Sequence, residues 1–170
     1  MRDINSSGVP VGSPRQVTAV ERMDAGGSFT SIFEPDIVGL ADGGYVVGWS
    51  FSELGFSGVS FSNDSDVIVR FYNADGTPRS SEIVVTSDAN DGPFDLSDGP
   101  FALTALADGG LLVSFQSEAS DRALIAQRYD AQGNAVGGNT TIAVFEDIFD
   151  VQQTAAELAS GDFIFGLGSG

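Results

Sequence analysis

The stretch Ile37-Val-Gly-Leu-Ala-Asp-Gly-Gly-Tyr-Val-Val-Gly-Trp-Ser50 decides the fold, because the chain repeats it. It returns over residues 103–116 as Leu-Thr-Ala-Leu-Ala-Asp-Gly-Gly-Leu-Leu-Val-Ser-Phe-Gln. A worn copy follows over residues 156–167, Ala-Glu-Leu-Ala-Ser-Gly-Asp-Phe-Ile-Phe-Gly-Leu. Each copy is an apolar run, a tight Asp/Gly turn and a second apolar run, which is the signature of a β-hairpin. A second hairpin alternates with the first. Residues 72–85 (Tyr-Asn-Ala-Asp-Gly-Thr-Pro-Arg-Ser-Ser-Glu-Ile-Val-Val) parallel residues 129–144 and residues 3–20. Gly8, Gly76 and Gly133 take equivalent places there, each closing a turn that calls for positive φ.

Two hairpins make one unit of four short antiparallel strands. The unit over residues 36–86 has strands near 36–40, 45–50, 67–72 and 83–86, with a polar loop at 51–65. The unit over residues 101–144 has strands near 101–106, 111–116, 123–129 and 141–144. Residues 1–20 supply the second hairpin of a split unit, and residues 153–167 the first hairpin of another. The chain is therefore one all-β repeat domain over residues 1–170, with three unit-equivalents. Residues 151–159 are the best helical candidate, yet the repeat register assigns them to a strand. Several strands are apolar on successive residues (45–47, 111–113, 163–165), so both their faces are expected to be covered. Units of this kind predict β-propeller blades, and closed propellers have about 4–8 of them. Three equivalents then belong to a larger ring or to an assembly of copies; a compact sandwich is the remaining arrangement.

Composition narrows function mostly by exclusion. The sequence has no His, Cys or Lys, and all seven basic residues are Arg. Ser-His-Asp and Cys-His catalysis, His/Cys zinc sites and Schiff-base lysines are excluded. Carboxylates, hydroxyls and three tyrosines remain, and no catalytic residue is assigned. A net charge of −17 opposes nucleic acid and anionic membrane as partners. Apolar runs fall far short of the ~20 residues that span a bilayer, so no membrane insertion is expected. The N-terminal residues lack the apolar core of a cleaved signal peptide.

The pattern Leu-Ala-Asp-Gly-Gly-(aromatic or Leu)-Val-Val-x-Trp, followed by Ala-Gln-Arg-Tyr-Asp-Ala-x-Gly-x-x-Val-Gly-Gly, resembles a propeller-like repeat of large secreted bacterial proteins. Those proteins often also carry hemolysin-type (RTX) calcium-binding repeats. Residues 106–113 and 126–138 match best, then 40–49, 71–78 and 9–12. The resemblance implies an extracellular or cell-surface location, export without a cleaved signal, and a part in adhesion or surface layers. The Gly-Gly-x-Gly-x-Asp nonapeptide is absent, Phe71 stands where the second copy has Arg128, and Ser80-Ser81 replace Gly137-Gly138.

Calcium is the one cofactor the sequence raises. Asp88, Asn90, Asp91, Asp95 and Asp98 form the densest oxygen-rich stretch, and calcium takes six to eight oxygens from such loops. The spacing departs from the EF-hand, since Gly92 comes a residue early and no closing Glu follows. Asn63, Asp64 and Asp66 form a second, shorter candidate. Both stretches read equally as solvated turns shaped by Asp and Asn. Tyr45, Trp49, Phe51, Phe56 and Phe61 are aromatic candidates for stacking on a glycan, with packing between blades as the competing role. The expectation is a non-enzymatic structural or interaction module mediating adhesion or self-assembly. Its partners would be other blades of the same or a larger chain, or further copies in a homo-oligomer. The alternative is a carbohydrate-binding module, or a carbohydrate-active enzyme domain working through paired Asp/Glu.

Overall fold

A computed structural model describes residues 1, 3–18, 29–57, 60–86, 100–117, 123–145 and 151–169. The described residues contain strands and turns and no helix. Twelve strands make four antiparallel sheets. The first is a two-stranded hairpin, β1 (Asp3–Ile4) with β2 (Pro10–Val11). A four-stranded meander follows: β3 (Phe29–Gly39), β4 (Tyr45–Ser57), β5 (Ser60–Tyr72) and β6 (Ile83–Val84). A second meander contains β7 (Phe101–Ala105), β8 (Leu111–Ser117), β9 (Ala123–Tyr129) and β10 (Ala135–Val144). The last hairpin is β11 (Val151–Glu157) with β12 (Phe163–Ser169), so the stretch that offered the best helix is a strand.

One turn closes six hairpins among the described residues. In Leu40–Gly44 the Gly43 N–H donates to the Leu40 carbonyl and the Leu40 N–H to the Gly44 carbonyl. The same pair of bonds closes Leu106–Gly110, Leu158–Asp162, Asn5–Val9, Asn73–Thr77 and Asp130–Asn134. The fourth residue is always Gly at positive φ, from 77° at Gly8 to 86° at Gly109 and Gly161. This is a type I turn closed by a left-handed residue, where a Cβ would be strained. The degenerate third copy moved its Asp and kept the glycine that the geometry needs.

The predicted loop at residues 51–65 is not a loop. β4 and β5 run on as a continuous ladder from Tyr45↔Tyr72 to Ser57↔Ser60. Alternation there is weak and the residues are polar, but each strand offers the other a full set of backbone partners. β3 also begins at Phe29, earlier than expected, and β10 begins at Ala135. β10 carries register shifts around Gly137, whose φ is 75°.

The two meanders and the last hairpin lie in chain order, each packed face against the next. Between the two meanders, Leu40, Val46, Val67, Val69, Phe71 and Val85 pack on Leu111, Val113, Phe115 and Tyr129. The other face of the first meander, with Val47, Trp49, Ile68 and Tyr72, packs on Met1 and Val17 from the N-terminal segment. The other face of the second meander, with Leu106, Leu112 and Ala126, packs on Ala155, Phe163 and Phe165 of the last hairpin. Val46 and Val47 thus serve opposite layers, as strand alternation requires. Among the described residues the core contains no Asp or Glu. The backbones of successive sheets approach most closely where β3 meets β7 and β7 meets β11. Among the described residues the sheets do not close into a barrel or a ring.

Candidate interaction surface

Both meanders present the same side to the sheet that follows them. Leu40 and Val46 of the first meander are 6% and 0% exposed beneath the second meander. Their counterparts Leu106 and Leu112 are 2% and 5% exposed beneath the last hairpin. The third pair, Leu158 and Ile164, is 46% and 57% exposed. Three copies of one surface therefore exist in the molecule, and the third has no cover among the described residues. The turn and strand pattern that places these side chains is the same each time. Only their position in the stack differs.

Beside β12 lies a groove of about 250 Å³. Phe163 and Phe165 form one wall, while Leu112, Ala126, Arg128 and Ile142 are among the residues that line the rest. In the contact between the meanders the matching space is filled, by Ile125 and Tyr129 against Val69 and Phe71. Arg128 stands at the repeat position of Phe71. It bonds Asp108, yet its Nε–H is buried with no acceptor among the described residues.

The turns at one end of the stack are tied together by arginine. Arg79 donates to Asp42 Oδ2 at 2.7 Å, to Asn73 Oδ1 at 3.1 Å and to the Ala131 carbonyl at 3.1 Å. It thereby joins the turns at 40–44 and 73–77 of the first meander to the turn at 130–134 of the second. Asp42 Oδ1 accepts from the Gly44 N–H at 2.9 Å, and Asp108 Oδ1 accepts equally from Gly110. The Gly44 N–H first, then Arg79, hold the Asp42 carboxyl below the usual carboxylate range. Gly110 does the same for Asp108, Thr77 for Asp75 and Asn134 for Asp130. Each of these shifts keeps a carboxylate ionised, whereas a general acid needs its pKa raised. Burial pushes the Tyr129 hydroxyl up to about 12.

Asp88, Asn90, Asp91, Asp95 and Asp98, the first calcium candidate, lie outside the described residues. Of the second, Asn63 and Asp64 sit on β5, paired through the backbone with Leu54 and Glu53. Asp66 accepts from Thr86 Oγ1 at 2.9 Å, and that oxygen accepts in turn from the Val67 N–H. Among the described residues no three carboxylates converge as a metal site. Of the aromatic candidates, Trp49 is buried and Tyr45 stacks on Tyr72 with ring centroids 5.1 Å apart. Phe51 packs partly buried against the same layer. Sequence reasoning missed Leu158, Ile164 and the groove, although the match of Leu158 to Leu40 and Leu106 was the available signal. No family model, curated protein or solved structure matches the chain.

Proposed function

We propose that the chain is a non-catalytic structural and interaction module of an extracellular or cell-surface protein, its sheets serving as propeller blades and its role being adhesion or self-assembly. The observation that carries this reading is the pair Leu158 and Ile164, apolar and exposed at positions that are buried in both earlier copies. Apolar side chains kept in register on an uncovered sheet are what a docking surface requires. Backbone approach between sheets concentrated at the first strands favours a blade arrangement over a parallel sandwich. Net charge and the repeat's resemblance support a place outside the cell, with calcium entering through residues 88–98.

The test is adhesion by beads coated with residues 1–170. Beads carrying the native chain should cluster or bind bacterial envelopes, and Leu158→Asp/Ile164→Asp beads should not. Equal behaviour of the two would refute the reading. Glycan-array binding that survives the double substitution would establish the carbohydrate-binding alternative instead. Melting with calcium and with chelator checks the ion: a bound ion raises the midpoint, and no difference removes calcium from the proposal.

A further inference from the structure

We infer that the last hairpin, β11–β12, is a detachable cover: it lifts from the second meander while the two meanders stay stacked, and so bares Leu106 and Leu112. The opening follows from side chains that differ between the two contacts, and it holds whether or not the module mediates adhesion. The closed molecule shows solvent one copy of the repeated apolar face, at Leu158 and Ile164. The open molecule shows a second.

The contact between the meanders is interlocked. Gly48 leaves a notch on β4 for the Phe101 ring, so close that a Cβ there would lie 2.7 Å from the ring and 3.2 Å from Leu103. Arg79 ties the turns across the same contact. In the contact with the last hairpin these repeat positions are filled differently. Ser114 stands at the place of Gly48, Gln153 at that of Phe101 and Ala155 at that of Leu103. The serine Cβ closes the notch, and a polar chain replaces the ring. Gln153 Nε2 donates to the Pro100 carbonyl at 2.6 Å and to the Ser114 carbonyl at 2.9 Å. Thr104 Oγ1 donates to the Ala155 carbonyl at 3.2 Å, and the Ala107 N–H to Glu157 Oε2 at 2.6 Å. Phe163 and Phe165 still pack on the second meander, but they leave the groove beside them unfilled.

The two kinds of contact respond differently to opening. A bond from Gln153 or Thr104 is exchanged for one to water, so its net contribution is small. A ring seated in a notch loses its dispersion contacts and meets water with nothing in exchange. Ser114 Oγ and Gln153 Oε1 are buried in the hairpin contact with no hydrogen-bond partner among the described residues, and Arg128 Nε is a third such atom beside the groove. Opening gives all three a water partner, which favours the open form. Among the described residues the contact between the meanders holds no such atom. Segments whose contacts are unequal in this way open separately.

The chain has no cysteine, so one introduced thiol reports the cover directly. Leu40→Cys and Leu106→Cys place it at one repeat position beneath each contact, where the native residues are 6% and 2% exposed. With iodoacetamide and no denaturant, Leu106→Cys should label at least about tenfold faster, although Leu106 is the more buried. Ser114→Gly with Gln153→Phe rebuilds the Gly48–Phe101 pair in the hairpin contact. Added to Leu106→Cys it should slow labelling at least about tenfold, and added to Leu40→Cys it should change nothing. Hydrogen exchange of the unsubstituted chain needs no variant to fold. Amides of β11 and β12 should exchange at least about tenfold faster than those of β8 and β9, with a weaker urea dependence. Equal labelling of the two thiols, or exchange of the hairpin in step with β8 and β9, overturns the inference. So does a rebuilt pair that folds and leaves Leu106→Cys labelling unchanged. If bead adhesion fails while labelling and exchange behave as stated, the functional reading falls and the opening stands.

Discussion

Leu40, Leu106 and Leu158 allow one residue type to be tested at one repeat position under three degrees of cover. The perturbation is Leu→Ala at each, made singly. Leu40 and Leu106 are 6% and 2% exposed, each seated beneath the following sheet. Truncating a buried Leu costs about 2–5 kcal/mol, the spread reflecting how far the cavity collapses. Relaxation is restricted here, because the neighbours belong to two sheets whose backbone bonds hold them in place, so about 3 kcal/mol is expected for both. Leu158 is 46% exposed and loses half-solvated contacts alone, which places it below about 1 kcal/mol in dilute solution. Urea unfolding reads the difference directly. With a slope of about 2 kcal/mol per molar, Leu40→Ala and Leu106→Ala should lower the midpoint by about 1.5 M, and Leu158→Ala by less than about 0.5 M. A Leu158→Ala loss as large as that of Leu106→Ala in dilute solution would refute the argument that stacking, not local turn structure, buries this position.

Three further outcomes follow from the turns and the core. Asp42, Asp75, Asp108 and Asp130 have folded pKa values below their ordinary ones, so their stabilisation is complete above about pH 4 and disappears as pH falls through the lowered values. The thermal advantage of the native chain over Asp42→Asn should shrink below pH 4, and a constant advantage down to pH 2 would contradict it. Tyr129, raised to about 12 by burial, should ionise in an ultraviolet titration well after an ordinary tyrosine, and Tyr129→Phe should shrink that late step to the part due to Tyr72, which burial also raises. Its stabilisation is complete below about pH 10 and is lost as pH rises toward 12. Gly43→Ala, which puts a Cβ on a residue at φ 84°, should cost about 1–2 kcal/mol in urea unfolding, against a few tenths for Ala at the solvated Ser81.

The hairpins were legible because their turns demand one residue type. Gly8, Gly76 and Gly133 can be aligned by eye, and all have positive φ in the structure. Gly161 survives a copy in which the flanking Asp has shifted, since that glycine alone satisfies the backbone. Residues 51–65 were misread for the opposite reason. Ser, Asn and Asp there carry no apolar alternation, and what makes them strands is pairing between β4 and β5, a non-local cause. The exposed face was hidden because Leu158 looks like Leu40 and Leu106, and cover depends on what lies above. The Arg79 bridge was out of reach too, as it joins positions 37 and 52 residues away.

A suppression experiment between Gly48 and Phe101 tests the stacking itself. A Cβ on Gly48 would lie 2.7 Å from the Phe101 ring and 3.2 Å from Leu103, across the gap between the meanders. Gly48→Ala should therefore destabilise by about 1–3 kcal/mol through overpacking. Phe101→Ala should destabilise on its own by vacating that space. The double variant should be more stable than the sum of the two losses predicts, by about 1 kcal/mol or more. Strict additivity of the two substitutions would contradict the claim that these sheets lie face to face.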